Sequence, residues 1–218
     1  MKARLRAVLF DLDGTLVDTL PDLAASVNFA LGRLERPVRT LGEIRGFIGD
    51  GVTQLLRDSL GPAHGGLVES ALQLFTPHYL EHCAVRSALY PGVAETLDRL
   101  SGFPLGVVTN KPEAPSLKLL RALGLAERFK VFICGDTLPV KKPDPAMVRE
   151  AARRLGVPPE STILVGDAPG DVRAAHGAGA LALGVGFGYR PAEELRAAGA
   201  DFIAERFSDI PGFLEDRT

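Results

Sequence analysis

The sequence predicts an α/β fold: a parallel sheet with helices on both faces, interrupted near its start by an inserted all-helical cap. Three observations carry this. After Tyr90, short apolar runs of β character alternate with stretches of helical spacing, the pattern of a parallel sheet with crossover helices. Between Pro21 and about Arg86 the apolar residues keep helical spacing and no β run intervenes. The first strand ends abruptly in Asp11 and Asp13 followed by Gly14, and open α/β sheets gather ligands outside the carboxyl ends of their strands.

Residues 5–10 read as the first strand, because Val8-Leu9-Phe10 is a short apolar run cut off by a carboxylate. Residues 22–35 carry Leu23, Val27, Ala30, Leu31 and Leu34 at helical spacing, with Pro21 suited to a first turn. Thr40-Leu41-Gly42-Glu43 matches a capping box and opens a second helix that ends near Gly49. After the Gly49-Asp50-Gly51 turn, residues 52–60 and 67–83 continue the helical pattern. The chain then alternates: helix 93–100, strand 103–109, helix 112–123, strand 131–134, helix 146–155, strand 162–165, helix 172–177, strand 181–185, helix 191–197 and a short edge strand at 202–203. The predicted division is a core of residues 1–17 and 88–218 with a cap of residues 18–87.

The chain of 218 residues, 46% hydrophobic and 24% charged, is long enough to bury a sizeable core. A net charge of −2 argues against a nucleic-acid partner. No apolar run approaches the ~20 residues of a membrane span. The basic start, Met1 to Arg6, leads into an apolar run too short for a signal peptide. Cys83 and Cys134 lack metal-ligand spacing and read as two buried thiols in a reducing compartment. The expectation is a cytoplasmic protein, monomer or homodimer, with neither nucleic acid nor membrane as partner.

Asp11 and Asp13 share one face of an extended chain, and two carboxylates ~4.5 Å apart at an effective dielectric of ~20 repel by about 3–4 kcal/mol. Packing gives no return for that cost, so a positive partner is required. Other strand ends also carry chemistry. Val108-Thr109-Asn110-Lys111 offers a hydroxyl and entering amides, which either cradle an anion or simply cap the next helix. In Lys141-Lys142-Pro143, the proline pushes Lys142 toward an extended conformation, as a point charge for phosphate or carboxylates or as one of two solvated lysines. Gly166-Asp167-Ala168-Pro169-Gly170-Asp171 places Asp167 at a buried strand end in need of a partner, whereas Asp171 suits a helix cap. Oxygen ligands without His or Cys select a hard cation, and few carboxylates with room for water and phosphate favour Mg²⁺. A carboxylate that attacks phosphorus forms an aspartyl-phosphate, and a second carboxyl moves the protons.

Four motifs in order, Asp11-Leu12-Asp13-Gly14-Thr15, Val107-Val108-Thr109-Asn110, Lys142-Pro143-Asp144-Pro145, and Gly166-Asp167 with Asp171, resemble the haloacid dehalogenase-like hydrolase superfamily, in its phosphoglycolate phosphatase-like branch. The resemblance spans essentially the whole chain and implies a Rossmann-like parallel sheet core with an inserted helical cap. It implies Asp11 as nucleophile, Asp13 as general acid and base, Thr109 and the Asn110 amide on the phosphoryl group, and Lys142 offsetting charge. It further implies Mg²⁺ held by Asp11, the Asp13 main-chain carbonyl and Asp167. Ala168 departs from a serine common in relatives. The implied activity is hydrolysis of a small phosphorylated metabolite, with 2-phosphoglycolate leading and nucleotidase, pyrophosphatase or sugar-phosphate mutase as alternatives. A non-catalytic phosphate-binding or regulatory relative would ordinarily have lost Asp11 or Asp13, and both are present. Arg45, in the segment resembling the branch's specificity loop, is either a grip for a substrate carboxylate or one surface arginine among several.

Overall fold

The computed structural model describes residues 4–215, so Met1, Lys2 and Ala3 of the basic start lie outside the described residues. In chain order the elements are β1 (Ala7–Phe10), β2 (Val17–Asp18), α1 (Leu20–Arg33), α2 (Leu41–Phe47), α3 (Val52–Leu60), α4 (Val68–His82) and β3 (Ala88–Leu89). There follow α5 (Val93–Arg99), β4 (Leu105–Val108), α6 (Glu113–Ala122), β5 (Val131–Ile133), α7 (Ala146–Leu155) and β6 (Thr162–Gly166). The last are α8 (Pro169–Ala178), β7 (Leu181–Val185), α9 (Ala192–Ala197), β8 (Phe202–Ala204) and α10 (Ile210–Glu215).

Six strands form one parallel sheet in the order β5-β4-β1-β6-β7-β8. The chain winds from β1 through β4 to β5 on one side, then crosses back to β6, β7 and β8 on the other. The strand order therefore reverses beside β1, between it and β6, which is where open sheets leave a crevice. Every residue of β1 is buried, and its side chains alternate between two cores. Val8 and Phe10 face one, where Phe10 stacks on Phe207 at 5.8 Å and meets Phe129 edge-on at 6.3 Å. Leu9 faces the other, with Val108, Met147, Leu164 and Val172. Burying a ring such as that of Phe10 contributes roughly 1.5–3 kcal/mol. Among the described residues, no helix is long and apolar enough to cross a membrane.

The segment between β2 and β3 is helical, as its spacing predicts. Thr40 and Glu43 form the expected capping box at α2. α1 packs on α4, and Val27, Leu31, Ile44 and Leu56 are fully buried there. Three features go beyond the expectation. β2 and β3 pair antiparallel, Val17 with Leu89 and Asp18 with Ala88, so the two chain crossings form one ribbon. Helix α8 begins at Pro169, ahead of the expected 172, because proline is preorganised for a first turn. α10 ends the described chain.

Asp22 secures the second crossing. Its buried carboxylate accepts from the main-chain nitrogens of Val85 (3.0 Å), Arg86 (2.9 Å) and Ser87 (2.8 Å) and from the Ser87 hydroxyl (2.8 Å). Burial alone would raise its pKa, but these donors outweigh burial and hold it below the usual carboxylate value. The contribution to stability is therefore present above the ordinary carboxylate range and is lost as pH falls through the depressed value. Asp22→Ala strands these donors and costs about 3 kcal/mol, read as a fall in Tm of about 6–12 °C at neutral pH. A Tm within about 1 °C of wild type would refute the assignment.

Candidate active site

The carboxyl ends of β1, β4 and β6 meet around Asp11. The Asp11 amide donates to Val165 O at 2.8 Å, which carries the sheet pairing one residue past β1 and fixes the side chain over the crevice. Lys142 sits beneath it. Its ammonium lies 2.8 Å from Asp11 Oδ1 and donates to Asp171 Oδ1 (2.6 Å) and Val108 O (2.8 Å). The contact with Asp11 Oδ1 is a close ion pair, and among the described residues no other group bonds this buried oxygen. Lys142 is held by Asn110, whose side-chain oxygen accepts from Lys142 N (2.8 Å) and whose amide donates to Lys142 O (3.0 Å) and Gly49 O (2.9 Å). The Asn110 side chain is thus a brace for the lysine.

Asp167 follows β6 and is buried. Its Oδ2 accepts from Tyr189 N at 2.7 Å. Gly14 and Gly188 make room for it: a Cβ at either position would fall 2.2 or 2.3 Å from an Asp167 atom, and Gly14 has a φ of +79°. Asp171 does two jobs, accepting from Ala168 N (3.0 Å) at the start of α8 and from Lys142.

Oxygens of Asp11, Asp167 and Asp171 all lie within 4.8 Å of one another. Burial pushes the Asp11 carboxyl up to about 6 despite Lys142, with Asp171 and Asp13 adding to the rise. Burial, then the charges of Asp11 and Asp171, raise Asp167 well above the carboxylate range. Such a cluster is relieved by a cation. Both Asp171 oxygens have close donors, whereas Asp167 Oδ1 meets the Thr15 hydroxyl only at 3.5 Å and Asp11 Oδ1 has Lys142 alone beside it, so Asp11 and Asp167 are the carboxylates with room for one. An all-oxygen donor set of this kind fits a hard divalent cation.

Asp13 turns its carboxylate away from this cluster. Its Oδ1 accepts from the Thr19 hydroxyl (2.7 Å) and from Lys111 Nζ (2.9 Å), which also reaches Oδ2 (3.2 Å). Lys111 is buried, bonded to the Tyr79 hydroxyl and 4.4 Å above the Tyr79 ring. Sequence alone assigns Lys111 no role. Thr109 is buried at the end of β4 and its Oγ1 accepts from Lys111 N at 3.3 Å, leaving the hydroxyl proton for an anion. α6 starts beyond Pro112, so Thr109 does not cap it.

These groups line a cavity of about 270 Å³ whose other wall is apolar, with Leu23, Ile48, Leu55 and Phe75 from the helical segment. Asp11, Asp13, Thr109 and Asn110 line it; Lys142 opens onto an adjoining cavity on the far side of Asp11. Arg45 lines neither cavity. Its guanidinium donates to Tyr189 O (3.2 Å) and Gly188 O (2.6 Å), while Arg190 donates back to Gly46 O (2.8 Å). Arg45, open in the sequence between a grip for a substrate carboxylate and a surface arginine, is bonded to carbonyls at the junction between helical segment and core.

Buried carboxylates around one lysine lie at the switch point of a parallel sheet and under a helical cover, the place where open α/β sheets bind ligands. A family model described as haloacid dehalogenase-like hydrolase matches residues 5–179. The chain belongs to this family. It is 37% identical over 219 residues to a phosphoglycolate phosphatase of Chromobacterium violaceum, covering 97% of each chain. It is 39% identical over 206 residues to one of Nitrosospira multiformis, covering 91% of each. A crystal structure of a predicted phosphoglycolate phosphatase from Haemophilus somnus superposes with a TM-score of 0.90 at 33% identity, covering 97% of this chain and 98% of that one.

Proposed function

We propose that the chain is a Mg²⁺-dependent phosphatase that hydrolyses 2-phosphoglycolate to glycolate and phosphate through an aspartyl-phosphate on Asp11. The observation that carries this reading is the division of labour between two carboxylates two positions apart: Asp11 is buried with its Oδ1 2.8 Å from the Lys142 ammonium, and Asp13 is turned toward hydroxyl and ammonium groups. An Asp11 oxygen attacks phosphorus, the bond to the bridging oxygen breaks, and Asp13 gives that oxygen a proton as glycolate leaves. Asp13 then takes a proton from water as the water oxygen attacks the aspartyl-phosphate, which returns Asp11. Lys142 offsets the charge on Asp11, and the Thr109 hydroxyl donates to the phosphoryl group. Asp11, Asp167 and the Asp13 main-chain carbonyl would hold Mg²⁺, which when bound neutralises phosphoryl charge. Residues 18–87 act as the cap that keeps bulk water out.

Phosphate release is measured from 2-phosphoglycolate, a nucleoside monophosphate, pyrophosphate and hexose phosphates, with Mg²⁺ and with a chelator. The expected result is Mg²⁺-dependent release fastest from 2-phosphoglycolate; another preferred ester would displace the substrate, and no release at all would end the enzyme reading. Asp167→Ala removes a proposed ligand and should raise the Mg²⁺ concentration for half-maximal activity by about 100-fold or more. An unchanged titration would remove Asp167 from the metal site.

A further inference from the structure

We infer that Lys111, with the Tyr79 hydroxyl beside it, is the subsite for a second anionic group carried by the leaving part of the substrate; this rests on the phosphatase reading. Lys111 is buried, and its ammonium contacts both Asp13 oxygens and Tyr79. With Thr19 also on Oδ1, the Asp13 carboxylate faces a hydroxyl and an ammonium. A substrate anion one carbon beyond the bridging oxygen would lie beside Asp13, close enough to draw the ammonium across.

The cavity supplies no better partner. Among the described residues that line it, the other cation is Arg190, which is bonded to carbonyls of Gly46 and Ile48. Lys142 stands between Asp11 and Asp171. An anion buried against the apolar wall without a cation would be strongly disfavoured. Tyr79 completes the subsite. Its ring stacks on Phe75 at 5.1 Å, and burial, then the Asp13 charge, raises its pKa well above the ordinary value. The hydroxyl therefore keeps its proton and, accepting from Lys111, can donate it to a carboxylate. The ligand class is a phosphorylated hydroxy acid, and the cap contributes to its recognition through Tyr79.

The test compares 2-phosphoglycolate with its neutral counterpart, 2-hydroxyethyl phosphate, for wild type, Lys111→Met, Lys111→Arg and Tyr79→Phe. The wild type should prefer the carboxylate ester. In K111M the loss of kcat/KM on 2-phosphoglycolate should exceed the loss on the neutral ester by roughly 10–100-fold, carried mainly by KM. K111R should recover part of that difference, and Y79F should show the same split at smaller size, which holds the test open should K111M fold poorly. Equal losses on both esters, or a wild type indifferent to the carboxylate, would overturn the subsite and leave the phosphatase reading standing. No phosphate release from either ester or from any other phosphoester would overturn both.

Discussion

Asp11→Asn should abolish turnover, by roughly 10⁴-fold or more, while leaving the protein folded. The amide has nearly the same shape, so the pairing of the Asp11 amide with Val165 and the packing around it survive. What is lost is the nucleophile. The substitution also removes a charge that the fold holds at a cost. The ordinary carboxyl value of 3.8 rises to about 6 in the folded protein, chiefly through burial. A raised value means that the folded state binds the proton more tightly than the unfolded state does. Without divalent cation, wild-type stability should therefore fall as pH rises from about 4 through 6, by about 2–3 kcal/mol from this group. In D11N that component of the pH dependence should vanish. Urea unfolding in chelator at pH 4.5 and 7.5, beside phosphate release with Mg²⁺, checks both parts. Substantial turnover by D11N would rule out the aspartyl-phosphate.

The sheet was legible because its strands are short apolar runs buried on both faces, so the sequence alternates cleanly between run and helix. The candidate site was legible for the same reason: Asp11, Thr109 and Asp167 each interrupt an apolar strand with a group that burial penalises. What escaped depended on contacts between distant segments. β2 and β3 are two residues each and exist through pairing with each other. Lys111 looks like a solvated lysine after a strand end, and its burial comes from Tyr79 on α4, 32 positions away. Arg45 reads equally as a substrate grip or a surface arginine, and its partners are carbonyls 143 and 144 positions along the chain. A single cation in a loop carries no local signal that separates these outcomes.

Lys142→Met should impair activity and stability together. The ammonium is fully surrounded, with Asp11, Asp171 and Val108 O as partners, and burial, which would lower its pKa, is outweighed by those two carboxylates, which raise it. It stays ionised at any working pH. Removing it leaves two buried carboxylates without their cation, and breaking such a pair costs about 3–5 kcal/mol. The cost falls where the carboxylates are ionised. It should be largest near pH 7.5 and should shrink toward pH 5, because protonation of Asp11 removes the charge that Lys142 had compensated. The same logic fixes the kinetic sign. Lys142 is the largest influence holding Asp11 down to about 6, so in K142M the carboxyl rises further. The acid limb of the pH–rate profile, measured at saturating Mg²⁺, should move to higher pH, with maximal turnover down by roughly 10²–10³-fold. Lys142→Arg should restore little, since a planar guanidinium does not match the closely set Asp11, Asp171 and Val108 O that surround a compact ammonium. Equal destabilisation of K142M at pH 5 and 7.5, with an unmoved acid limb, would mean that Lys142 contributes packing and not charge.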